Sequence, residues 1–452
     1  MLDVTMLVMG SIVGAGIFFS PHKVAAQVED ATGVLLVWGA GGVVALLGGF
    51  VFAELGARYP RTGGQYVFLR EALGPRVAFL YGWCLLAIVT AGTLVVVSGI
   101  AVFNLDLVIQ SITGREGNVF SPIWQAVLAA VLLSLLTAIN VRGVRLGAWV
   151  HNGVMLLKIA GLLLVVGCAI AVFVSGEPAA QDDASPVGDK ASGSLVVAFL
   201  AALFSYGGWQ NATAAAGEMK DAQRTLPKAM VLGVSLVVAL YLAVNLSLLE
   251  ILGLEGLQRE PVPFAAAAGR VLGGVGGGLV AGMIFVSTLG ITHAILLLTP
   301  RVYEAMAQDG VFFQACARRH ERWGTPHVAI FVQLGFTLLQ LAIALWWTLT
   351  QSEPGMVFLA VDPTLEALVF VDWIWYTLAG VCLFCFRRRA AADDAPTFRA
   401  PAYPFIPGAF TLGCFAIVVW AALDTEPKRL ILPGAVIASG LIALWFAARR
   451  SR

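Results

Sequence analysis

Two glycine-interrupted segments hold the residues of this 452-residue sequence that are best suited to binding a ligand. Residues 10–18 read Gly-Ser-Ile-Val-Gly-Ala-Gly-Ile-Phe, and residues 204–211 read Phe-Ser-Tyr-Gly-Gly-Trp-Gln-Asn. Because glycine costs about 1 kcal/mol relative to alanine inside a helix, glycines clustered in an apolar run indicate backbone that leaves helical geometry. At membrane depth such backbone is tolerated only where it faces protein or a water-filled cavity. The two segments therefore predict a binding site made from broken helices.

The helix ends at these two breaks indicate the charge of the ligand. In the first segment a helix begins near Ala15 and Gly16, and its free N–H groups and positive dipole end suit a carboxylate. In the second segment a helix ends near Phe204 and Ser205, and its free carbonyls suit an ammonium. A molecule that carries both groups on one carbon is an α-amino acid. The alternative interpretation is that the glycines merely allow close helix packing.

A lysine, Lys158, lies within the apolar run at residues 149–174. An ammonium at that depth costs about 2.5–3.5 kcal/mol on insertion scales and is a functional hypothesis by default. We expect it to bond carbonyls released at the break near Val13 and a hydroxyl of Ser287 or Thr288. Snorkelling of the ammonium to the nearer membrane surface is the alternative.

Other ionisable residues within or near the apolar runs admit structural interpretations. His293 is expected to be a buried, hydrogen-bonded group rather than a proton carrier. Asp372 and Lys23 lie near the ends of their runs, and we interpret both as interfacial. The predicted lining offers Ser205, Asn211 and glycines but no acid, so we expect a neutral ligand rather than a cationic one.

Glu54, Glu218 and Arg301 lie where apolar runs meet basic loops. These side chains could form an inner gate of ion pairs that breaks when the protein opens. The alternative is a set of solvated surface pairs, each worth about 0–1 kcal/mol.

The elements that position these residues must be membrane-spanning helices. The chain is 59% hydrophobic and 12% charged, whereas soluble globular chains carry roughly 25% charged residues. A span needs about 20 apolar residues, and twelve fit. Their predicted limits are residues 3–28, 33–57, 78–103, 122–140, 149–174, 195–216, 228–252, 275–300, 327–350, 364–386, 405–423 and 430–448.

The distribution of basic residues predicts the orientation of the spans. If both termini are cytoplasmic, twenty of the 28 lysines and arginines fall in inner loops and the C-terminal tail, and six fall in outer loops. Such an excess is typical of cytoplasmic loops. We therefore expect a multi-pass protein of the inner (plasma) membrane, in contact with the lipid bilayer, with both termini in the cytoplasm.

Composition and motifs exclude several other classes of protein. A net charge of +1 gives no electrostatic case for nucleic acid as a partner. The sequence has no Walker, HExxH or GxSxG motif and no candidate metal cluster. We expect no enzyme activity, no metal site and no cofactor. The six cysteines fall mostly inside apolar runs, so we expect no disulfide.

The two glycine-interrupted segments resemble the first- and sixth-span signatures of the amino acid–polyamine–organocation (APC) superfamily, and the second resembles its L-type amino acid transporter branch. Further matches are Glu218 and the segments at residues 53–55, 60–64, 224–229, 300–301 and 308–310. The resemblance covers essentially the whole chain. It implies an all-α protein with the leucine-transporter fold, in which helices 1 and 6 are broken. The implied divisions are a first inverted repeat (1–174), an extracellular loop (175–194), a second inverted repeat (195–386) and two added helices with a cytoplasmic tail (387–452).

The resemblance also implies roles for individual residues. Carboxylate-binding amides would be those of Ala15 and Gly16, flanked by Ser11 and Gly14, and amine-binding carbonyls those of Ile12, Phe204, Ser205 and Gly207. The ring of Phe204 would be an outer gate. Lys158, with Val13, Ser287 and Thr288, would take the place of a sodium ion, and His293 and Asn211 would shape selectivity.

Together these observations predict secondary transport of neutral L-amino acids by sodium-independent exchange. A proton-coupled amino acid symporter is the close alternative, and an amino-acid-gated channel or sensor is the alternative of another class. No cysteine lies between Phe103 and Pro122, where animal relatives bind a heavy chain through a disulfide, so we expect no disulfide-linked heavy chain.

Overall fold

The computed structural model describes residues 1–14, 16–115, 117–142, 145–175, 193–350, 362–389, 396–424 and 431–450. Within these ranges the chain folds into helices and contains no strand. Ala15, most of the predicted extracellular loop at 175–194 and the last two residues of the tail lie outside the described residues.

Eighteen α-helices follow one another in the described part of the chain. They are α1 (Leu2–Ile12), α2 (Gly16–Ala25), α3 (Ala31–Arg58), α4 (Gln65–Leu73), α5 (Pro75–Cys84), α6 (Ala91–Thr113), α7 (Pro122–Val141), α8 (Arg145–Ser175), α9 (Leu195–Tyr206), α10 (Asn211–Ala214), α11 (Ala222–Arg259), α12 (Pro263–Leu272), α13 (Gly274–Leu298), α14 (Pro300–Gln308), α15 (His327–Thr350), α16 (Asp362–Arg389), α17 (Phe405–Asp424) and α18 (Ile431–Arg450). A π-helix (Leu85–Thr90) joins α5 to α6, and 3₁₀ turns occupy Ala216–Glu218 and Gln314–Ala317.

Ten helical stretches are long and apolar enough to cross a membrane. The pair α1 and α2 passes the same test together, with a bend of 43° between its halves, and Ile431–Trp445 of α18 forms a shorter apolar helix. These twelve segments coincide with the twelve predicted spans, so the predicted all-helical membrane fold is confirmed. Large side chains such as Trp124 on α7 and Trp346 on α15 are exposed, as expected for surfaces that face lipid.

Three elements differ in detail from the predicted spans. The connection after α3 contains a short helix, α4, whose Tyr66, Phe68 and Leu69 are fully buried. The third span continues to Thr113 and includes the π-helical turn. Such turns occur often at functional sites. Helix α11 changes direction at Gly253, whose φ of 68° departs from helical geometry.

The first and sixth spans are both interrupted, as predicted. Helix α1 ends at Ile12, and Val13 follows in an extended conformation with ψ of 93°. Helix α9 ends at Tyr206, and Gly207 follows in an extended conformation with ψ of 157°. Four residues, 207–210, separate α9 from α10.

Candidate substrate site

A central cavity lies where the two interrupted spans meet. It has a volume of about 820 Å³, counted with its open mouth. Its lining includes Ser11, Ile12, Gly14, Gly16, Phe204, Ser205, Gly207, Gly208, Gln210 and Asn211 from the two breaks. Seven of the eight predicted substrate-binding residues are therefore brought together around one cavity, and the eighth, Ala15, lies outside the described residues.

The first break presents the N-terminus of a helix to this cavity. Helix α2 begins at Gly16, and the first N–H groups of a helix have no intrahelical partner. The hydroxyl of Ser11 does not face outward for a ligand, because it donates to the carbonyl of Leu7 at 2.8 Å. The groups available to an anion at this break are therefore backbone amides, assisted by the helix dipole.

The second break presents the C-terminus of α9. The N–H of Gly207 donates to the carbonyls of Leu203 at 3.0 Å and Phe204 at 3.3 Å, so the predicted Phe204 carbonyl is already engaged. No backbone N–H donates to the carbonyl of Gly207 within the described residues. Of the carbonyls predicted at this break, that of Gly207 is therefore available at the negative end of the α9 dipole, while that of Phe204 is not.

The two breaks touch each other at two glycines. A Cβ atom at Gly16 would lie 2.7 Å from the Cα atom of Ser205. A Cβ atom at Gly208 would overlap the carbonyl oxygen of Ser11, and the φ of Gly208 is 117°, which side-chain-bearing residues rarely adopt. Glycine is therefore required at both points for the helix ends of opposite polarity to approach each other.

Tyr241 of α11 joins the same two breaks and was not expected from the sequence. Its hydroxyl lies 3.2 Å from the carbonyl of Ile12 and 3.3 Å from the carbonyl of Ser205, and the residue is fully buried. A phenol donates one hydrogen bond at a time, so Tyr241 can satisfy either break. The signal in the sequence is a tyrosine inside an apolar run, because a buried phenol needs a partner.

Lys158 of α8 is buried and supports the first break. Its ammonium donates to the carbonyl of Val13 at 2.8 Å. The structure records no bond from Lys158 to the predicted hydroxyls of α13. Thr288 donates instead to the carbonyl of Phe285 at 2.7 Å, and the buried Ser287 hydroxyl has no partner among the described residues. A Cβ atom at Gly290 would lie 3.7 Å from Cε of Lys158, so α13 packs directly against this side chain.

Helix α16 contributes an acid to the cavity, which corrects the sequence-based interpretation. Asp372 lines the cavity with Trp373 and Tyr376, next to Thr90 and Thr93 of the third span. Its place in one cavity with both helix breaks does not agree with the interfacial interpretation of Asp372. The expectation that the lining contains no acid is wrong, because Asp372 belongs to that lining.

The two residues predicted to shape selectivity are placed differently. Asn211 lines the cavity. His293 is buried, but it does not reach the described lining, and its Nδ1 lies 3.0 Å from the amide nitrogen of Asn140 on α7. His293 thus links α13 to α7. This placement agrees with its interpretation as a buried, hydrogen-bonded group.

The predicted gate residues fall into two separate clusters. Arg301 forms a bidentate pair with Glu218, with distances of 2.7 Å from Nε and 2.9 Å from Nη2. Glu54 instead accepts from Arg387 at 2.9 Å and from Arg58 at 3.0 Å, so it does not join the Glu218 pair. Burial raises the pKa of Glu218, but the hydrogen bond and charge of Arg301 outweigh it and hold that pKa below its ordinary value of 4.5.

The described residues contain no group of three or more His, Cys, Asp or Glu side chains that could hold a metal ion. All six cysteines carry free thiols, and five of them are buried.

A helical membrane protein whose interrupted first and sixth spans meet at a central cavity has the architecture of a secondary transporter. The family profile for amino acid permeases matches residues 1–447. The chain therefore belongs to the amino acid permease family, and the resemblance to the APC superfamily is confirmed.

Individual relatives agree with this assignment. The serine/threonine exchanger SteT of Bacillus subtilis (strain 168) is 31% identical over 422 residues, covering 91% of this chain and 88% of the relative. The b(0,+)-type amino acid transporter 1 of Homo sapiens is 26% identical, covering 85% of this chain and 75% of the relative. The Asc-type amino acid transporter 1 of Homo sapiens is 27% identical over 82% of this chain and 71% of the relative. The family and these relatives are transporters rather than enzymes, so the chain is a multi-pass amino acid transporter.

Proposed function

We propose that this transporter exchanges neutral L-amino acids across the plasma membrane by alternating access and without sodium. The single observation that carries the proposal is the contact between the two breaks, at Gly16 with Ser205 and at Gly208 with Ser11. This contact holds a helix N-terminus and a helix C-terminus at one cavity. An α-carboxylate and an α-ammonium separated by one carbon match that pair of opposite helix ends.

Apart from Asp372, the rest of the lining supports a neutral side chain. Apolar residues of five spans, such as Val89, Ile291 and Leu368, form much of the cavity surface. Phe204 lines the same cavity, and its ring is proposed as the outer gate that covers the ligand. A pocket with mostly apolar walls and a few polar anchors is typical of small-molecule sites.

Lys158 supports sodium independence. Its ammonium already provides a positive charge at the Val13 carbonyl, 2.8 Å away, where the broken helix would otherwise leave an oxygen free for a metal cation. We propose that this fixed charge stands in for a coupling ion. A proton-coupled symporter is the second candidate. The observation that favours it is the presence of two titratable groups, with Lys158 at the first break and Asp372 in the cavity wall.

We further propose the membrane orientation and the gating elements. The excess of basic residues in alternate loops supports cytoplasmic termini. The Arg301–Glu218 pair then lies on the cytoplasmic side, where it links the segment after α10 to α14 and would separate when the inner path opens. The two inverted repeats, 1–174 and 195–386, remain a proposal that rests on the matching positions of the two breaks. We propose a chain that works without a disulfide-linked heavy chain, because no cysteine lies between Phe103 and Pro122 and five of the six cysteines are buried.

Exchange in proteoliposomes tests the proposed function. Purified protein is reconstituted into vesicles, and uptake of labelled leucine and serine is measured with and without the same amino acid inside. We expect saturable uptake that internal amino acid accelerates and that replacement of sodium by choline leaves unchanged. Uptake driven by a proton gradient into empty vesicles would favour the symporter, and currents that do not saturate would favour a channel. Uptake of no amino acid under any of these conditions would overturn the proposal.

A further inference from the structure

The cavity wall formed by α16 contains a carboxylate for which the described part of the protein supplies no counter-charge. Asp372 lines the same cavity as both helix breaks. The ion pairs of the described residues involve Glu54, Glu71, Glu218, Glu304 and other acids but not Asp372. Lys158 is the cation recorded at the first break, and its hydrogen bond goes to Val13.

The groups that surround Asp372 can polarise it but cannot neutralise it. Its titratable neighbours are the phenols of Tyr81 and Tyr376, and Tyr376 stands one helical turn along α16. Tyr376 is itself fixed by aromatic packing, with its ring 5.3 Å from Trp373 and 5.3 Å from Trp209. A phenol can donate a hydrogen bond to a carboxylate but brings no positive charge.

A carboxylate in a membrane-embedded cavity calls for a positive partner. Ionisable residues inside transmembrane helices pair with one another or lie on the path of an ion or substrate. Breaking such a pair is costly because it leaves a charge with no compensation at low dielectric. The described residues supply no cation beside Asp372, so a cationic group of the ligand could provide the balancing charge.

We propose that Asp372 anchors a side-chain subsite through which the exchanger accepts, besides neutral amino acids, those with a cationic side chain, an ammonium or a guanidinium. The inference rests on the proposed function, because the two helix breaks hold the α-groups and leave the side chain to reach the α16 wall. Apolar residues such as Val89 and Leu368 line the same cavity and suit the methylene stem of such a side chain. Trp373 lines it too, and aromatic faces attract organic cations.

Selectivity of exchange tests this subsite. Proteoliposomes loaded with leucine are supplied outside with labelled leucine, serine, lysine or arginine, for the parent protein and for Asp372→Asn and Asp372→Glu. We expect the parent protein to exchange lysine and arginine as well as leucine. In Asp372→Asn, the ratio of lysine exchange to leucine exchange should fall at least about tenfold, since losing one partner of a buried charge pair is expensive. Asp372→Glu keeps the charge and should recover part of that ratio.

The outcomes separate this inference from the proposed function. Leucine exchange without lysine or arginine exchange by the parent protein would overturn the cationic subsite alone. A ratio that Asp372→Asn leaves unchanged, or a loss confined to serine or to proton-driven uptake, would overturn it as well. Absence of exchange for every amino acid would overturn the proposed function first. Elution volume and thermal midpoint in detergent show whether each variant is folded. If Asp372→Asn is misfolded, the test uses Asp372→Glu instead, and the proposal then requires that its lysine-to-leucine exchange ratio differ from that of the parent.

Discussion

The ammonium nitrogen of Lys158 lies 2.8 Å from the carbonyl oxygen of Val13, the residue that follows the last residue of α1. A helix C-terminus leaves carbonyl oxygens without partners, and inside a membrane they cannot turn to water. Lys158 satisfies one of them with a charged donor. A side chain of a different span thus satisfies part of the first break.

Replacement of this donor should impair exchange. Lys158→Met retains most of the side-chain volume but leaves the Val13 carbonyl without its charged partner. Hydrogen bonds to charged groups contribute about 1.5–3 kcal/mol, so we expect amino acid exchange in proteoliposomes to fall at least about tenfold. Lys228→Met on the exposed face of α11 is the matched control and should exchange at the parent rate. Equal exchange by Lys158→Met and the control would contradict this role.

Addition of one methyl group at the second break should prevent its contact with the first. Gly208→Ala forces a φ of 117° on alanine and places Cβ on the carbonyl of Ser11, so we expect a loss of about 1–3 kcal/mol in stability together with loss of exchange. Gly39→Ala has no atom within 4 Å of the new Cβ and serves as the control. It should leave exchange intact and not lower the thermal midpoint, because alanine favours a helix over glycine. A Gly208→Ala protein with parent exchange would show that the breaks need not touch.

Removal of the Tyr241 hydroxyl tests whether this residue couples the two breaks. Tyr241→Phe should raise the KM for exchange several-fold and cost about 0.5–1.5 kcal/mol of stability, since the Ile12 and Ser205 carbonyls lose a donor. Tyr206, the last residue of α9, makes a similar buried bond, but to the carbonyl of Trp38 on α3 at 3.1 Å rather than to a carbonyl of either break, and Tyr206→Phe removes it. It should lower stability by a similar amount while KM stays close to that of the parent. If both variants change KM equally, Tyr241 has no special part in binding.

The Arg301–Glu218 pair should give the protein a defined acid dependence. The folded protein holds the pKa of Glu218 below its ordinary value of 4.5. The ion pair therefore stabilises the fold at every pH above 4.5, and this stabilisation is lost as the pH falls through the lower pKa of the folded state. Because Glu218 is partly exposed, the contribution is about 1 kcal/mol or less. Thermal midpoints between pH 7 and pH 3.5 should therefore decline less steeply below about pH 4.5 for Glu218→Gln than for the parent. Glu321→Gln, at an exposed position, is the control and should follow the parent curve. A Glu218→Gln curve parallel to the parent curve would show that the Arg301–Glu218 pair is not the source of the acid dependence.

The sequence was sufficient for the architecture because lipid imposes strong rules on it. Apolar length specifies the spans, and glycine clusters at residues 10–18 and 204–211 mark where two of them break. Lys158 could be singled out because a charge is rare at that depth. Glycine clusters and a charge are both unfavourable in a helix that only spans lipid, so each indicates a segment that faces protein or a cavity.

The rest of the site depends on which helices face one another, and local patterns do not contain that information. Asp372 looked interfacial because it lies near the start of its apolar run, and its place in the cavity lining follows only from how α16 packs against the other spans. Tyr241 looked like packing because its partners, Ile12 and Ser205, are far away in sequence. His293 could not be assigned a direction until Asn140 was placed beside it.

The most direct test of the account is competition by amino acids that lack one of their two α-charges. Exchange of labelled leucine in proteoliposomes is measured against excess leucine, N-acetyl-leucine and leucine methyl ester outside the vesicles. We expect leucine to compete if the N-terminus of α2 binds the carboxylate and the C-terminus of α9 binds the ammonium. N-acetyl-leucine lacks the ammonium and leucine methyl ester lacks the carboxylate, so each should compete at least about tenfold more weakly, because one helix end is left without its ion. Competition by either modified compound as strong as that of leucine would contradict the account.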